Sequence, residues 1–202
     1  RGDRVEVATG DDVPVAAQQV VLCTGIWGEI GMPPHGHPVP IVPVRHPYVY
    51  GPQGDPPRGP RPFVRFPEHH VYARRHGAQW GFGTYDHAPD PIDAATLATA
   101  ELPWDGRFDD PIARGLRLFA RPDLFAPARR LDGVFAVTPD NLPLIGSWSA
   151  RTWMVAAAWV THAVGAAQVL AALVDELPAP VRDPAAVDPR RFDSWDPVLA
   201  RE

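Results

Sequence analysis

Lysine is absent: all 19 basic residues of this chain are arginine. That excludes a catalytic lysine, a lysine Schiff base and a phosphate-loop lysine. Cysteine occurs once, as Cys23, so neither an internal disulfide framework nor a multi-thiolate zinc site can be built. A basic excess is also missing, since 24 acidic residues give a formal net charge of -5. Broad nucleic-acid and anionic-membrane surfaces need the opposite balance, so no nucleic-acid and no membrane partner is expected. No apolar run approaches the roughly 20 residues that span a bilayer. No signal peptide is visible, and the expected location is cytoplasmic. The chain opens on Arg1 and enters strand-like sequence almost at once, which reads as the later part of a larger protein.

What is present fits a globular chain. Its 202 residues suffice for one domain or two small ones. Hydrophobic residues at 45% and charged residues at 21% argue against wholesale disorder. The 26 prolines are too many for a helical bundle, because each removes a backbone donor.

Residues 5–8 and 13–15 read as short strands joined at Gly10-Asp11-Asp12. The apolar run 19–24 (QVVLCT) fits a strand buried on both faces. Residues 32–40 form a Pro/Gly/His loop. The alternating segment 39–50 (VPIVPVRHPYVY) predicts a strand, whose prolines place it at a sheet edge or break it. After a Pro/Gly-rich connection over 51–62, segments 63–66, 70–74 and 79–85 read as antiparallel strands, with turns at Pro67-Glu68 and His76-Gly77. Helices are expected over 93–100 and 111–120, the second with Ile112, Leu116 and Phe119 on one stripe. Strands follow at 131–138, 142–145 and 153–159. The strongest helix is 162–177, capped by Thr161 and apolar enough to require burial. From Pro178 onward the composition is that of a linker.

Three segments carry chemistry. In the first, 20–27 (VVLCTGIW), a strand ends in Thr-Gly, where a missing side chain lets backbone approach a ligand; an ordinary strand end is the plainer alternative. In the second, 134–146 (VFAVTPDNLPLIG), a strand runs into a Pro-Asx turn and out again; a ligand-free hairpin has the same pattern. In the third, 158–165 (AWVTHAVG), a strand stops where an Ala/Gly-rich helix starts. The orphan amides and positive dipole end there can hold an anion or a delocalised negative charge; a capped surface helix needs no ligand at all.

In this order, with a β-rich insertion between the first and second, these segments resemble the C-terminal half of FAD-dependent oxidoreductases of the D-amino-acid oxidase superfamily. The similarity is nearest to the dimethylglycine/sarcosine dehydrogenase and dimethylglycine oxidase branch. C-T-G-I-W at 23–27 resembles the branch's A-G-x-W turn, and P-V-R-H-P-Y-V at 43–49 its P-L-x-H-Q-Y-V strand. Tyr72, Arg74 and G-F-G-T-Y at 81–85 are similar to its Y-x-R and G-x-G-S/T-Y strands. T-P-D-N-L-P-L-I-G at 138–146 resembles T-P-D-G-x-P-L-x-G, A-W-V-T-H-A-V-G resembles W-V-T-H-S-A-G, and D-P-R-R-F at 188–192 resembles D-x-x-R-F.

The resemblance implies an α/β (α+β) fold: an incomplete FAD-binding Rossmann-like domain, formed by 1–30 and 131–177, plus an antiparallel β-sheet substrate domain over 31–130, with 178–202 as linker. It implies FAD, and oxidation of a secondary or tertiary amine such as dimethylglycine or sarcosine by hydride transfer to flavin N5. Carried over by position, Thr24, Gly25 and Trp27 lie by the cofactor, and Pro139, Asp140, Leu142, Pro143 and Leu144 line its edge. Val160, Thr161, His162, Ala163, Val164 and Gly165 face the isoalloxazine, where a helix start stabilises the charge of the reduced ring. His46 and Tyr48 orient the substrate as catalytic residues; Arg45, Tyr85 and Trp159 contact it. A folate-binding module or an electron-accepting partner is implied as well.

One departure stands out. The G-x-G-x-x-G that seats a pyrophosphate on a helix N-terminus has no counterpart in this sequence, and neither does the histidine that tethers FAD in several relatives. The alternative is therefore a non-catalytic remnant, or a subunit that needs another chain to complete the flavin site. His35-Gly36-His37 and His69-His70 have poor metal-ligand spacing, so no metal is expected. Arg74-Arg75 and Arg129-Arg130 read as surface charges, and Cys23 as a packed core thiol.

Overall fold

The computed structural model describes residues 4–8, 10, 13–28, 39–56, 58–59 and 62–194. The chain divides into two compact units, one of Arg1–Pro43, Asp93–Thr96 and Ala136–Glu202, the other of Val44–Ile92 and Leu97–Phe135. Strands β1 (Val5–Val7), β2 (Val15–Ala17) and β3 (Val20–Leu22) come first, then β4 (Val42–Gln53), β5 (Phe63–Phe66), β6 (Val71–His76), β7 (Gln79–Thr84) and β8 (Glu101–Leu102). Helix α1 (Asp109–Leu116) precedes β9 (Arg129–Val137), β10 (Leu144–Ser149) and β11 (Thr152–Ala156), and α2 (Ala163–Val174) is the last long element. Strand and helix together give the α/β class, with an antiparallel sheet as its larger part.

The second unit is built on the sheet β5-β6-β7-β4-β9-β8. Residue alternation gives it two faces. One carries Val49, Val71, Ala73 and Phe82, which pack against Ile112 of α1 and against Phe125. Helix α1 starts with Asp109 and Asp110, whose charges suit a helix N-terminus, and ends near Arg114. It lies so close to the sheet that a Cβ on Gly115 would sit 2.9 Å from the Phe82 ring. The helix is shorter than 111–120. Phe119 lies past its end yet extends the expected stripe, stacking on Phe125 with centroids 3.8 Å apart.

Strand β4 is interior, between β7 and β9, and not at the sheet edge that its prolines predict. On the β7 side, Pro47 stands one residue before the pairing begins at Tyr48↔Gly83, and Pro52, just past the expected segment, falls in the register shift between Tyr50 and Gln53. The helix expected over 93–100 is a single 3-10 turn, Ala94–Thr96. Local side chains bond the backbone there instead. Asp93 accepts from Ala95 N at 2.9 Å, Thr96 donates to Asp93 O, and Thr99 donates to Glu101 O. Such bonds compete with helix continuation.

In the first unit β1 and β2 pair with each other, and a separate sheet runs β10-β11-β3, with β11 parallel to β3. Leu144, Met154 and Ala156 pack on one side of it with Val39 and Ile41. Ile145 packs on the other with Ala166, Val169 and Leu170 of α2. Strand β3 is the outer member, and Val21 is 48% exposed, which corrects the expectation of burial on both faces. Cys23 is exposed as well, not a core thiol. Helix α2 begins at Ala163, directly after a 3-10 turn Val160–His162. Its N-cap is His162, which makes no side-chain cap bond, so Thr161 is not the cap. Nor is the helix buried all round: Val164 is 74% exposed, and Val160 of the preceding turn 90%.

The tail is not a linker over its described length. Two 3-10 turns, Pro184–Val187 and Pro189–Phe192, are capped by Asp183 and Asp188. Phe192 packs beside Leu144 and Met154. Among the described residues no helix is long and apolar enough to cross a membrane.

Candidate functional site

The other face of the six-stranded sheet carries histidine and tyrosine. His46, Tyr48 and Tyr50 alternate along β4, and Tyr72 and His76 along β6. Two hydrogen bonds join them: His46 Nε2 to Tyr72 Oη at 2.8 Å, and Tyr48 Oη to His76 Nε2 at 2.7 Å. His46 also stacks on Phe135, with centroids 4.3 Å apart, and meets Tyr85 at 4.5 Å.

The strand between β4 and β6 explains how these rings fit. At Gly81 a Cβ would stand 2.7 Å from the Tyr48 ring, and at Gly83 2.5 Å from Tyr72 Oη. The G-x-G of β7 therefore leaves two slots across which tyrosines from both neighbouring strands lie. Register makes this necessary, because Gly83 sits opposite Tyr48 on one side and Tyr72 on the other.

Burial keeps the network uncharged. Removal from water pushes the His46 imidazole down to about 3, and nearby His87 adds to the shift. Burial raises the Tyr48 and Tyr72 phenols, and Tyr85 less strongly. At neutral pH both bonded pairs consist of neutral rings that can orient a ligand without presenting a fixed charge.

Arg45 does not join them. Its guanidinium donates to Asp132 and to Pro103 O at 3.1 Å, lies 3.3 Å from Asp105 and 3.6 Å from Asp90, and is 15% exposed. Asp132 is fully buried, and its bond raises the arginine further. The arginine expected to contact substrate is thus engaged by three aspartates of the chain itself.

The first unit presents a different surface. A groove of about 690 Å³ runs between α2 and the face of β3 that α2 leaves bare. Val21, Cys23 and Gly25 line it together with Ala157 and Ala158 and with Ala163, Ala167 and Ala171 of α2. It brings the strand end at Gly25 together with the helix start at Ala163. Gly25 has φ +58, with nothing within 4 Å of the place a Cβ would take. Among the described residues the buried Thr24 Oγ1 has no hydrogen-bond partner. An orphan hydroxyl beside an open glycine fits a bound polar group, and an apolar groove fits a flat ring.

The remaining expected residues are placed as follows. Val160 to Gly165 are exposed along the turn and first turn of α2. Trp27 and Trp159 are half-buried, and His162 N donates to Trp159 O at 2.7 Å. Pro139, Asp140 and Leu142 lie on an exposed turn; Pro143 is half-buried. Leu144 is fully buried against Met154 and Ala156, so its side chain cannot touch a cofactor. His35-Gly36-His37 lies outside the described residues. Three participants are new. Tyr72 was a motif member without a site role, His76 lies four residues beyond it on the same strand face, and Phe135 lies in a segment read only as strand.

A sequence model of the family described as FAD dependent oxidoreductase matches residues 1–173. The chain belongs to this family. The cofactor of the family is FAD. Solved structures agree on the fold. L-amino acid deaminase from Proteus vulgaris superposes with a TM-score of 0.71 at 15% identity, over 95% of this chain and 56% of that one. Iminodiacetate oxidase from Chelativorans sp. BNC1 gives 0.68 at 16% identity, over 94% and 50%. Glycine oxidase from Geobacillus kaustophilus gives 0.65 at 18% identity, over 89% and 46%. The chain spans about half the length of these structures.

Proposed function

We propose that this chain is the C-terminal half of a flavoenzyme that oxidises a secondary or tertiary amine, an N-methyl amino acid such as dimethylglycine or sarcosine. The observation that carries the reading is the aromatic cluster around His46. Tyr72, Tyr85 and Phe135 gather about the His46 ring, and aromatic clusters of this kind bind methylated ammonium groups. Neutral His46 and Tyr72 then orient the nitrogen without competing for its charge. FAD supplies acceptance of a hydride from the carbon beside that nitrogen. In the first unit Thr24 and Gly25 hold the cofactor, and the orphan amides before α2 face the reducible ring, with Trp159 as an apolar wall. His46 and Tyr48 act as the substrate-orienting pair. The same reading includes an electron-accepting partner or a folate-binding module, and a cytoplasmic setting.

A second reading is a subunit, or a non-catalytic remnant, whose flavin site only another polypeptide can complete. The bare side of β3 favours it: an apolar groove, a parallel edge and exposed Val21, Val160 and Val164 suit a further strand and helix. An upstream reading frame encoding strand–G-x-G-x-x-G–helix would decide for one longer enzyme. Protein extended by that segment is expected to show flavin absorbance that bleaches anaerobically with dimethylglycine or sarcosine. Extended protein with no flavin bands defeats the enzymatic reading, and bands that no N-methyl amino acid bleaches defeat the substrate.

A further inference from the structure

The turn after β9 is tied to the tail by more bonds than a surface turn needs. Within the turn, Thr138 Oγ1 lies 2.7 Å from Leu142 O and 3.1 Å from Asp140 Oδ1, and Leu142 N donates to Asp140 Oδ1 at 3.0 Å. Asn141 closes it with φ +60. Onto this knot comes Arg191, from 51 residues away. Its Nε donates to Asp140 Oδ2 at 2.9 Å, and its Nη2 to Asp140 Oδ1 at 3.0 Å and to Leu142 O at 2.9 Å. The fork is bidentate, the geometry in which arginine and carboxylate match.

Arg191 is itself held on every side. Nη1 donates to Asp188 O at 3.1 Å, the guanidinium lies 4.4 Å over the Phe192 ring, and its side chain is 14% exposed. Neighbouring residues anchor the segment: Pro189 is fully buried against Gly146, whose Cβ would stand 3.0 Å from Pro189 Cδ, and Phe192 enters the core with Leu144. Arg190, by contrast, bonds only the Asp188 that caps its own turn and points to solvent. Adjacent arginines therefore do different work.

We propose that Arg191 is a positioning residue of the flavin site, fixing the Asp140 carboxylate and the Leu142 carbonyl so that the 139–143 turn keeps one backbone conformation and presents no free negative charge. The proposal rests on the reading that this turn borders the flavin. Reduction makes a flavin ring more negative, so an unpaired carboxylate beside it opposes reduction, and a paired one does so far less. Consistent with the pairing, Arg191 and the turn amides hold the Asp140 carboxyl below its usual range.

Two measurements test it. In the 202-residue chain, Arg191→Met is expected to speed amide exchange at Asn141 and Leu142 at least tenfold. Arg191→Lys, which keeps the charge but not the fork, should fall between, and it serves if the Met variant does not fold. Arg190→Met should leave both amides unchanged. In protein completed with the nucleotide-binding segment and loaded with FAD, Arg191→Met should lower the flavin midpoint potential, and Asp140→Asn in the same variant should restore it. Unchanged exchange at Leu142 overturns the proposal. So does an unchanged potential with an intact flavin spectrum, which would leave Arg191 a structural staple. A completed protein without flavin defeats the functional reading on which the proposal rests, and the spectrum alone identifies that outcome.

Discussion

Gly81 and Gly83 do at single positions what no side chain can: they let two tyrosine rings cross a strand. Gly83→Ala should push Tyr72 off His46 and destabilise the second unit by about 1–3 kcal/mol, the usual cost of forcing volume into a packed site. Chemical denaturation measures the loss, and the Tyr72 hydroxyl signal in NMR reports whether the hydrogen bond survives. Arg45 gives an opposing case. Arg45→Met leaves Asp132 buried without its cation, which costs about 3–5 kcal/mol; a substrate clamp would instead weaken ligand binding at unchanged stability. His46 sets a pH dependence. Its folded-state pKa near 3 lies below the unfolded value near 6.5, so the unfolded chain binds the extra proton between those limits. Its contribution to stability is whole above about pH 6.5 and is lost as pH falls towards 3, on the order of 5 kcal/mol in total. Urea titrations from pH 7 to 4 should show this fall, and His46→Gln should flatten it.

At the level of elements, α2 and β4 show how far pattern goes. The apolar composition of 162–177 predicts burial, yet only Ala166, Val169 and Leu170 are buried, while Ala163, Ala167 and Ala171 wall an open groove. Val164→Ser should therefore change the stability of this chain by no more than about 0.5 kcal/mol, because Val164 is largely exposed. In the completed flavoprotein the same change should weaken FAD retention, measured by flavin release on dilution. Retention equal to that of the parent would take the first turn of α2 out of the cofactor site. Strand β4 was readable as a strand from its alternation. Its interior place was not, because a proline in sequence does not tell which side of the strand its missing amide would face. The 93–100 helix failed for a local reason: Asp93, Thr96 and Thr99 bond their own backbone at shorter range than a helix would.

For the whole molecule, two units with separate cores follow from the packing. Phe82 is fully buried beneath α1, and Phe82→Ala should cost about 3–5 kcal/mol. Hydrogen exchange should show lost protection in β6 and β7, while β10, β11 and α2 keep theirs. Loss of protection throughout would mean one cooperative unit in place of two. The family, FAD and the antiparallel sheet were legible because motif order and residue alternation are properties of the chain itself. That His46 and Tyr48 alternate along one strand was legible for the same reason.

The remaining features depend on partners far apart in sequence. Arg45 meets Asp132 across 87 residues, Tyr48 meets His76 across 28, and Arg191 meets Asp140 across 51. Sequence by itself determined where most of the strands lie and which chemistry the residue types permit. Tertiary structure alone decided which arginine is locked in an ion pair, which tyrosines lose their water, and which face of β3 stays bare. Charge state and access are set by what packs against a group, and strand register brings those neighbours together.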